Sequence, residues 1–215
     1  MGKNILSGVR PTRMELLKLK KRKILAQKGH DLLEEKRDAL IMEFFKRIKN
    51  YRKDKAELEI EIKKAFETLI EAQMVIGYTG LEESSYSVNE MKDIEMKVRN
   101  ITGVKVPLIE KMEFLRESKE RGYSFVSTSA KLDEAANSFE NVVKNILRLA
   151  ESEGSIRKLA QEIEKTKRRV NALENILIPK LGNTQNYIKM HLAELEREDF
   201  FRRKKIKSAL KDSTD

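Results

Sequence analysis

The 215-residue sequence contains no cysteine, no tryptophan and only three prolines. Without cysteine it forms neither disulfides nor a thiolate metal site, and a cysteine nucleophile is excluded. Aromatic residues make up 6% and charged residues 37% of the chain, which favours an extended helical protein over a globule with a thick core. No apolar run approaches the roughly 18 residues of a membrane-spanning helix, and the N-terminus lacks a signal-peptide core. We therefore expect any membrane association to go through a partner.

Motifs of nucleotide-binding and catalytic sites are also missing. Neither GxxxxGK[ST] nor GxGxxG occurs, the glycine-rich loops whose backbone amides hold phosphates at a helix N-terminus. Only two histidines are present, and the set His30, Glu34 and Asp38 on one helix face is interpreted as a solvated polar face. We expect no catalytic residue, no cofactor and no metal site. The isolated chain is predicted to hydrolyse no ATP.

The net charge of +10 is unevenly distributed along the chain. Residues 1–55 carry a net charge of +10, residues 56–130 carry −4, and residues 131–215 carry +4. Basic ends of this kind indicate association with an acidic surface, whether protein, nucleic acid or lipid, and they say nothing about the fold.

Two long stretches show the three- and four-residue spacing of coiled-coil helices. In the first, no proline falls between Thr12 and Ile76, which permits one helix, and Thr12 with Glu15 predicts a capping box at its start. The stripe comprises Ile41, Phe44, Ile48, Tyr51, Leu58, Ile62, Ala65, Leu69, Ala72 and Ile76, interrupted by Lys55. Upstream it continues less regularly through Met14, Leu17, Ile24, Leu25, Leu32, Leu33 and Leu40.

The second helical pattern starts near Thr128–Lys131 and runs towards Leu210. Its stripe comprises Ile156, Leu159, Ile163, Thr166, Val170, Leu173, Leu177, Leu181, Thr184, Ile188 and Leu195. Pro179 and Gly182 predict a bend without a full break. The 3.5-residue repeat on both helices predicts a left-handed supercoil.

Joining the end of the first helix to the start of the second predicts an antiparallel register. Paired residue numbers then add up to about 207. On this register Lys55 meets Glu151 or Glu153, and we predict an ion pair there as the polar contact of the seam.

Between the two helical stretches, apolar residues recur at every second position. Apolar residues alternate with polar ones at Ile94, Met96 and Val98, and again at Val104, Val106 and Leu108. This alternation around Ile101-Thr102-Gly103 predicts a β-hairpin near residues 94–108. The stretch from Gly77 to Asn89 is loop-like, with a short helix near Glu90 as an option. Because a lone hairpin is marginal in water, this one should pack on the coiled coil or on a partner.

These elements predict an all-α fold, a long antiparallel left-handed two-helix coiled coil with a small middle region. Residues 1–76 form the N-terminal coiled-coil helix, residues 77–130 the middle region with the β-hairpin, and residues 131–215 the C-terminal coiled-coil helix with a basic tail.

Two non-repetitive segments and the hairpin between them carry a family signature. Residues 11–40 read PTRMELLKLKKRKILAQKGHDLLEEKRDAL, residues 100–107 read NITGVKVP, and residues 166–207 read TKRRVNALENILIPKLGNTQNYIKMHLAELEREDFFRRKKIK. These segments resemble the central-stalk D subunits of archaeal A-type and vacuolar-type rotary ATPases. The resemblance covers both long helices and the middle of the chain.

The resemblance implies a rotor shaft that catalyses nothing itself. In such complexes a coiled coil enters a ring of alternating A and B subunits, where nucleotide is hydrolysed or made. Its lower part and middle domain bind the small F subunit and dock on the funnel-shaped C subunit, also called d, above the membrane rotor ring. One copy would transmit torque in a proton- or sodium-translocating ATPase or ATP synthase. It would lie peripherally on the cytoplasmic side of the cell membrane and contact no nucleic acid.

The resemblance also nominates residues that contact the ring or other partners. They are Pro11, Thr12, Arg13, Met14, Arg168, Arg169, Asn171, Pro179, Arg202, Arg203, Lys204 and Lys205. Simpler interpretations stay open: Arg168 and Arg169 also fit a solvated face, Asn171 either fixes the register or bonds to solvent, and Pro179 is a tolerated kink or a hinge. Because residues beyond about Leu195 have no partner helix on the predicted register, we expect the ring walls to order this tail.

The chief alternative is a basic coiled coil that binds nucleic acid. The clusters Lys20–Lys23 and Arg202–Lys205 suit phosphate binding by counterion release. Against it stand the acids interleaved in the second helix and the scarcity of exposed aromatics for base stacking. A scaffold or homodimeric tether is a further alternative, and it would need a parallel coiled coil with two copies of each helix.

Overall fold

The computed structural model describes residues 6, 8–88, 94–110, 122–123 and 129–212. Its elements in chain order are α1 (Arg13–Ile76), α2 (Tyr78–Tyr86), β1 (Met96–Ile101), β2 (Val104–Ile109), α3 (Ala130–Ala172), a π-helical segment (Leu173–Leu177) and α4 (Ile178–Asp212). The chain forms two compact units. Unit 1 comprises Met1–Asp38 and Glu164–Asp215, and unit 2 comprises Ala39–Ile163.

The predicted all-α fold with a hairpin in its middle is confirmed. In each unit, α1 packs antiparallel on the C-terminal helices. The Arg13 guanidinium pairs with Glu196 in unit 1 at 2.6 Å, and these numbers add up to 209. In unit 2, Asn145 Nδ2 donates to Glu61 Oε2 at 2.6 Å, and the numbers add up to 206. Both values lie close to the predicted 207.

Helix α1 begins at Arg13 because Thr12 caps it. The Glu15 N–H donates to Thr12 Oγ1 at 3.3 Å, which satisfies one of the free amides of the first turn. In a complete capping box the Glu15 carboxylate would also accept from the Thr12 N–H. Here that carboxylate accepts from Lys18 Nζ, and the Thr12 N–H donates to the Arg10 carbonyl. Only half of the predicted capping box is therefore formed.

Helix α1 ends at Ile76 because Gly77 has a φ of 80°, a left-handed conformation that favours glycine. The Gly77 N–H donates to the Gln73 carbonyl at 2.9 Å, and this bond closes the helix. Its own carbonyl accepts from the Leu81 N–H at 3.2 Å, so the same residue starts α2. The prediction of a loop from Gly77 to Asn89 was therefore wrong for Tyr78–Tyr86, which form a helix.

The optional helix near Glu90 lies outside the described residues. In the described part of the chain, no helix is long and apolar enough to cross a membrane.

The core of unit 1 forms between α1 and α4, with Leu19, Leu181 and Ile188 buried at its centre. The segment before α1 also packs on it, through Leu6 and Val9. The Leu6 N–H donates to Oγ1 of the buried Thr184 at 3.0 Å. The sequence pattern did not reveal this packing, because the segment is too short to show a period.

The seam of α1 in unit 1 does not follow the predicted apolar stripe. Exposed large apolar residues occupy the predicted stripe positions Met14, Leu17, Ile24, Leu25 and Leu32. The less exposed positions recur at Leu19, Lys23, Ala26, His30, Leu33 and Arg37. Because three of these are polar, a choice by hydrophobicity alone selects the wrong face. His30 is accommodated in the seam beside Glu174, with 4.0 Å between Nε2 and Oε2.

Unit 2 contains two apolar clusters. One comprises the buried Leu58, Ala65 and Val142 with Phe139 and others against them, and the rings of Phe66 and Phe139 meet edge to face at 5.5 Å. The other comprises Leu40 and Leu159 with two valines of β2. Except at Lys55, every predicted stripe position from Ile41 to Ile76 is buried or half-buried.

Lys55 is exposed, and the predicted ion pair with Glu151 or Glu153 is not formed. Glu153 pairs instead with Arg157 at 3.3 Å. Glu151 Oε2 accepts from the backbone N–H of Ile109 at 3.4 Å. The Glu151 carboxylate, which the predicted register pairs with Lys55, therefore binds the hairpin instead.

The C-terminal helices follow their predicted stripe except at Leu177 and Leu195, which are exposed, and they stay helical through Pro179. Buried stripe positions are Leu159, Thr166, Val170, Leu181, Thr184 and Ile188. A proline in an α-helix lacks an N–H and crowds the carbonyl four residues earlier. The π-helical turn relieves this, because the Ile178 N–H reaches back to the Leu173 carbonyl. The extra residue shifts the stripe, so Ile178 is half-buried while Leu177 is exposed.

The predicted hairpin near residues 94–108 is confirmed. β1 and β2 are antiparallel, with Ile101 opposite Val104. Thr102 and Gly103 between them have φ values of 50° and 80°. Two left-handed residues in a row match the type I′ turn that joins strands of this twist.

Candidate partner-binding surfaces

Chemistry-bearing side chains are dispersed in the part of the chain that the structure describes. There, no group of three His, Asp or Glu side chains is placed to hold a metal ion. His30 Nδ1 lies 3.2 Å from Asp31 Oδ1, and the His191 ring stacks on Tyr187 at 6.4 Å between centroids. The features that point to function are instead exposed apolar and charged surfaces.

The first surface is the exposed side of α1 in unit 1. Its apolar members are Met14, Leu17, Ile24, Leu25 and Leu32, and its exposed cations are Lys20, Lys21, Arg22 and Lys28. A contiguous exposed apolar stripe of this kind marks an interaction site. We call it the α1 surface. The sequence analysis assigned these apolar residues to the buried seam because of their regular spacing. The spacing was correctly recognised, but the residues are exposed.

Four candidate residues nominated by the resemblance lie at the start of α1. Pro11 is half-buried, whereas Thr12, Arg13 and Met14 are exposed. Through its ion pair with Glu196, Arg13 links this end to α4. Both partners of that pair are largely exposed, so water screens it and it contributes little to stability.

The second surface is the C-terminal part of α4. Every described side chain from Ala193 to Ser208 is exposed. Phe200 and Phe201 are 65% and 66% exposed, which corrects the expected scarcity of exposed aromatics. They directly precede the cationic candidates Arg202, Arg203, Lys204 and Lys205, of which Arg202 lies 3.8 Å from Asp199. This tail combines apolar rings with clustered positive charge.

The remaining candidates form a separate group. Arg168, Arg169, Asn171 and Pro179 are all exposed, and Arg168 pairs with Glu164 one turn away at 3.1 Å. Arg169 is 27 positions from Glu196, about 40 Å along a helix at 1.5 Å per residue. These candidates therefore do not lie with the start of α1 or with the tail.

Ion-pair groups hold several surface charges in place. A hydrogen bond to Asp38 raises the pKa of Arg37 in unit 1. In unit 2, hydrogen bonds to Glu134 and Glu71 raise the pKa of Lys131. Because Glu71 belongs to α1 and Lys131 to α3, their 3.1 Å pair links the two helices where α3 begins.

The third surface is the hairpin of unit 2, which β2 attaches to the helices. Val104 and Val106 are buried against Leu40 of α1 and Leu159 of α3. Clustering of apolar side chains from three elements fixes the position of the strand.

Pro107 and Ile109 add two further contacts with α3. Gly154 leaves space for Pro107, since a Cβ on Gly154 would lie 2.9 Å from Pro107 Cγ. The Ile109 N–H donates to Glu151. One strand of the hairpin is thereby held against the helices.

Comparison with known proteins identifies one family. The family model for the D subunit of ATP synthase matches residues 15–208. The D subunit of the A-type ATP synthase of Pyrococcus furiosus is 54% identical over 202 residues, which cover 94% of each chain. The protein of the same name from Pyrococcus horikoshii is 52% identical with the same coverage. That from Methanobrevibacter smithii is 48% identical over 210 residues, 98% of this chain and 91% of its own.

Proposed function

We infer the function of this chain from its family, because it belongs to the D subunits of A-type ATP synthases. Such a protein has other subunits of the same complex as partners. We propose that this chain is the central rotor stalk, which transmits torque between the catalytic A and B ring and the membrane rotor ring. In this proposal it is non-catalytic, present once per complex and peripheral on the cytoplasmic side of the membrane. Its further partners are the F and C (d) subunits.

The observation that carries the proposal is the packed helix pair in each unit. A torque-bearing element must resist relative movement of its helices, and close-packed interiors transmit strain because they compress little. Buried contacts between α1 and the C-terminal helices occur in both units, at Leu19, Leu181 and Ile188 in unit 1 and at Leu58, Ala65 and Val142 in unit 2. These contacts support a role in transmitting torque.

The proposed ring contacts are the α1 surface and the tail. The tail has no partner helix in the described part of the chain, and an isolated helix is marginal in water. Walls of a surrounding ring would cover its Phe200 and Phe201 and balance its charge. Arg13 and Met14 lie beside the same end of the helix pair and belong to this proposed contact. Arg168, Arg169, Asn171 and Pro179 are proposed as a second contact.

A rotation assay tests the proposal directly. The chain has no cysteine, so Tyr86→Cys at an 81% exposed position offers a single attachment site for an optical probe. In a complex immobilised through its catalytic ring, the probe should rotate when ATP is added and stop when ATP is withdrawn. The unsubstituted chain, which cannot be labelled, is the control. A probe that stays fixed during hydrolysis would place this chain in the stator and refute the proposal.

One observation favours the nucleic-acid alternative. The exposed Phe200 and Phe201 beside four cations combine a stacking surface with phosphate-binding charge. We expect the full-length chain to show no binding to a random-sequence duplex at physiological salt, measured by fluorescence anisotropy. Salt-sensitive binding that is lost in Phe200→Ser/Phe201→Ser would support the alternative.

A further inference from the structure

The π-helical segment of unit 1 changes which side chains the C-terminal helices present to α1. The apolar spacing places Leu177 in the buried seam, but Leu177 is 38% exposed and Ile178 is half-buried in its place. A π-helical turn holds one more residue than an α-helical turn. At 3.6 residues per α-helical turn, one extra residue turns the helix that follows by about 100°. We call the observed arrangement the π register and the arrangement without the extra residue the α register.

Side-chain packing by itself does not select the π register. Leu177 and Ile178 are both apolar, so either fills the seam, and Leu181 and Ile188 belong to the predicted stripe and are also buried in the structure. Gln185 distinguishes the two registers. It is 7% exposed, and its Nε2 has no hydrogen-bond partner among the residues that the structure describes. A buried donor without a partner is costly, and the α register would turn Gln185 towards solvent.

Pro179 supplies the effect that opposes the α register. In an α-helix its ring would crowd the carbonyl of Asn175, four residues earlier. In the π-helical turn the Ile178 N–H donates instead to the Leu173 carbonyl, five residues back, and Pro179 follows directly. The Pro179 side chain is exposed, so it contributes little to the packing of the seam. Its effect is therefore on the backbone.

We propose that Pro179 is a positioning residue, which holds Leu173–Leu177 in the π-helical form and thereby selects the register in which α4 packs on α1. Because α4 is continuous from Ile178 to Asp212, the same choice sets the direction in which the tail presents Phe200 and Phe201. This role acts through the fold and requires no partner to contact Pro179.

Thiol labelling of the purified chain measures the register, because the chain has no cysteine. Leu177→Cys and Gln185→Cys are the reporters, and each is compared with and without Pro179→Ala so that the same thiol is its own reference. With Pro179→Ala we expect slower labelling at position 177 and at least about tenfold faster labelling at position 185. Thr166→Cys, buried in α3, and Tyr86→Cys, exposed in α2, are the matched controls and should not change.

Deletion of Ile176 in the Pro179→Ala chain is the rescue. It removes the extra residue, so an uninterrupted α-helix again brings Ile178 and Gln185 to the seam, and both reporters should return to their original rates. Unchanged labelling in Pro179→Ala, faster labelling at both reporter positions, or no rescue by the deletion would overturn the proposal. Loss of helix content in the circular dichroism of Pro179→Ala would also overturn it, because alanine favours an α-helix over proline.

The consequence for rotation rests on the proposed function. In the assembled complex, single-molecule rotation under load should show lower torque with Pro179→Ala and recovery when Ile176 is also deleted. Unchanged torque despite altered labelling would refute this consequence of the register. Absence of rotation with the unsubstituted chain would instead contradict the proposed function, and the labelling of the purified chain would still test the role of Pro179.

Discussion

Gly154 of α3 offers a sharp test of how the hairpin is held. A methyl group at this position would lie 2.9 Å from Cγ and 3.9 Å from Cδ of Pro107. Distances below 3.0 Å require something to move, and Pro107 cannot rotate its ring away as a flexible side chain would. Relief must therefore come from a shift of β2, which Val104 and Val106 oppose by their burial.

Two effects of opposite sign decide the outcome of Gly154→Ala. Replacing a helical glycine by alanine stabilises the helix by about 1 kcal/mol, whereas overpacking a tight contact costs about 1–3 kcal/mol. We expect a net loss of about 0–2 kcal/mol in the free energy of unfolding. Gly29→Ala is the matched control, because Gly29 is also helical and a Cβ there would have no contact within 4 Å. It should stabilise by about 1 kcal/mol.

Urea unfolding followed by circular dichroism measures both variants, and hydrogen exchange of the β1 and β2 amides locates the effect. Faster exchange in the hairpin is expected for Gly154→Ala and none for Gly29→Ala. Adding Pro107→Ala should restore much of the loss in Gly154→Ala, since it removes the ring that clashes. Equal stabilisation by the two glycine substitutions would refute the proposed contact between Gly154 and Pro107.

Four other predictions concern separate features. Thr184→Val removes the acceptor of the Leu6 N–H and should destabilise the chain by about 1–3 kcal/mol in urea unfolding; Thr184→Ser should be nearly neutral, and equal losses would contradict this role. Lys55→Leu should change the free energy of unfolding by less than about 0.5 kcal/mol. A larger stabilisation would indicate that position 55 is buried in the seam. Deleting residues 202–215 should permit assembly and leave much of the ATPase activity while lowering torque, more so at high salt; single-molecule rotation under load measures this, and unchanged torque would show that the tail contacts nothing of consequence. The purified chain should hydrolyse no ATP in a phosphate-release assay, and activity that follows the polypeptide through successive columns would disprove this.

Local sequence determined the long elements and the turn. The absence of proline from Thr12 to Ile76, together with regular apolar spacing, specified α1 almost to the residue, because helix formation depends on backbone hydrogen bonds between near neighbours. The alternation around Ile101-Thr102-Gly103 predicted the hairpin, and glycine at position 103 suits the left-handed backbone angle there. The β-branched Thr102 adopts such an angle against its own preference. The antiparallel register also followed from sequence, because a chain that doubles back must pair positions equidistant from the reversal.

Tertiary structure decided which face is buried in the first part of α1 and in the hairpin. In unit 1 the seam of α1 takes in Lys23, His30 and Arg37, so apolar content alone chose the opposite side. In the hairpin both strands alternate correctly, yet their register leaves Val98 exposed while Val106 is buried. Periodicity reports how a side chain is spaced along its own element, but burial depends on which surface of another element comes to lie against it, and no local pattern encodes that position.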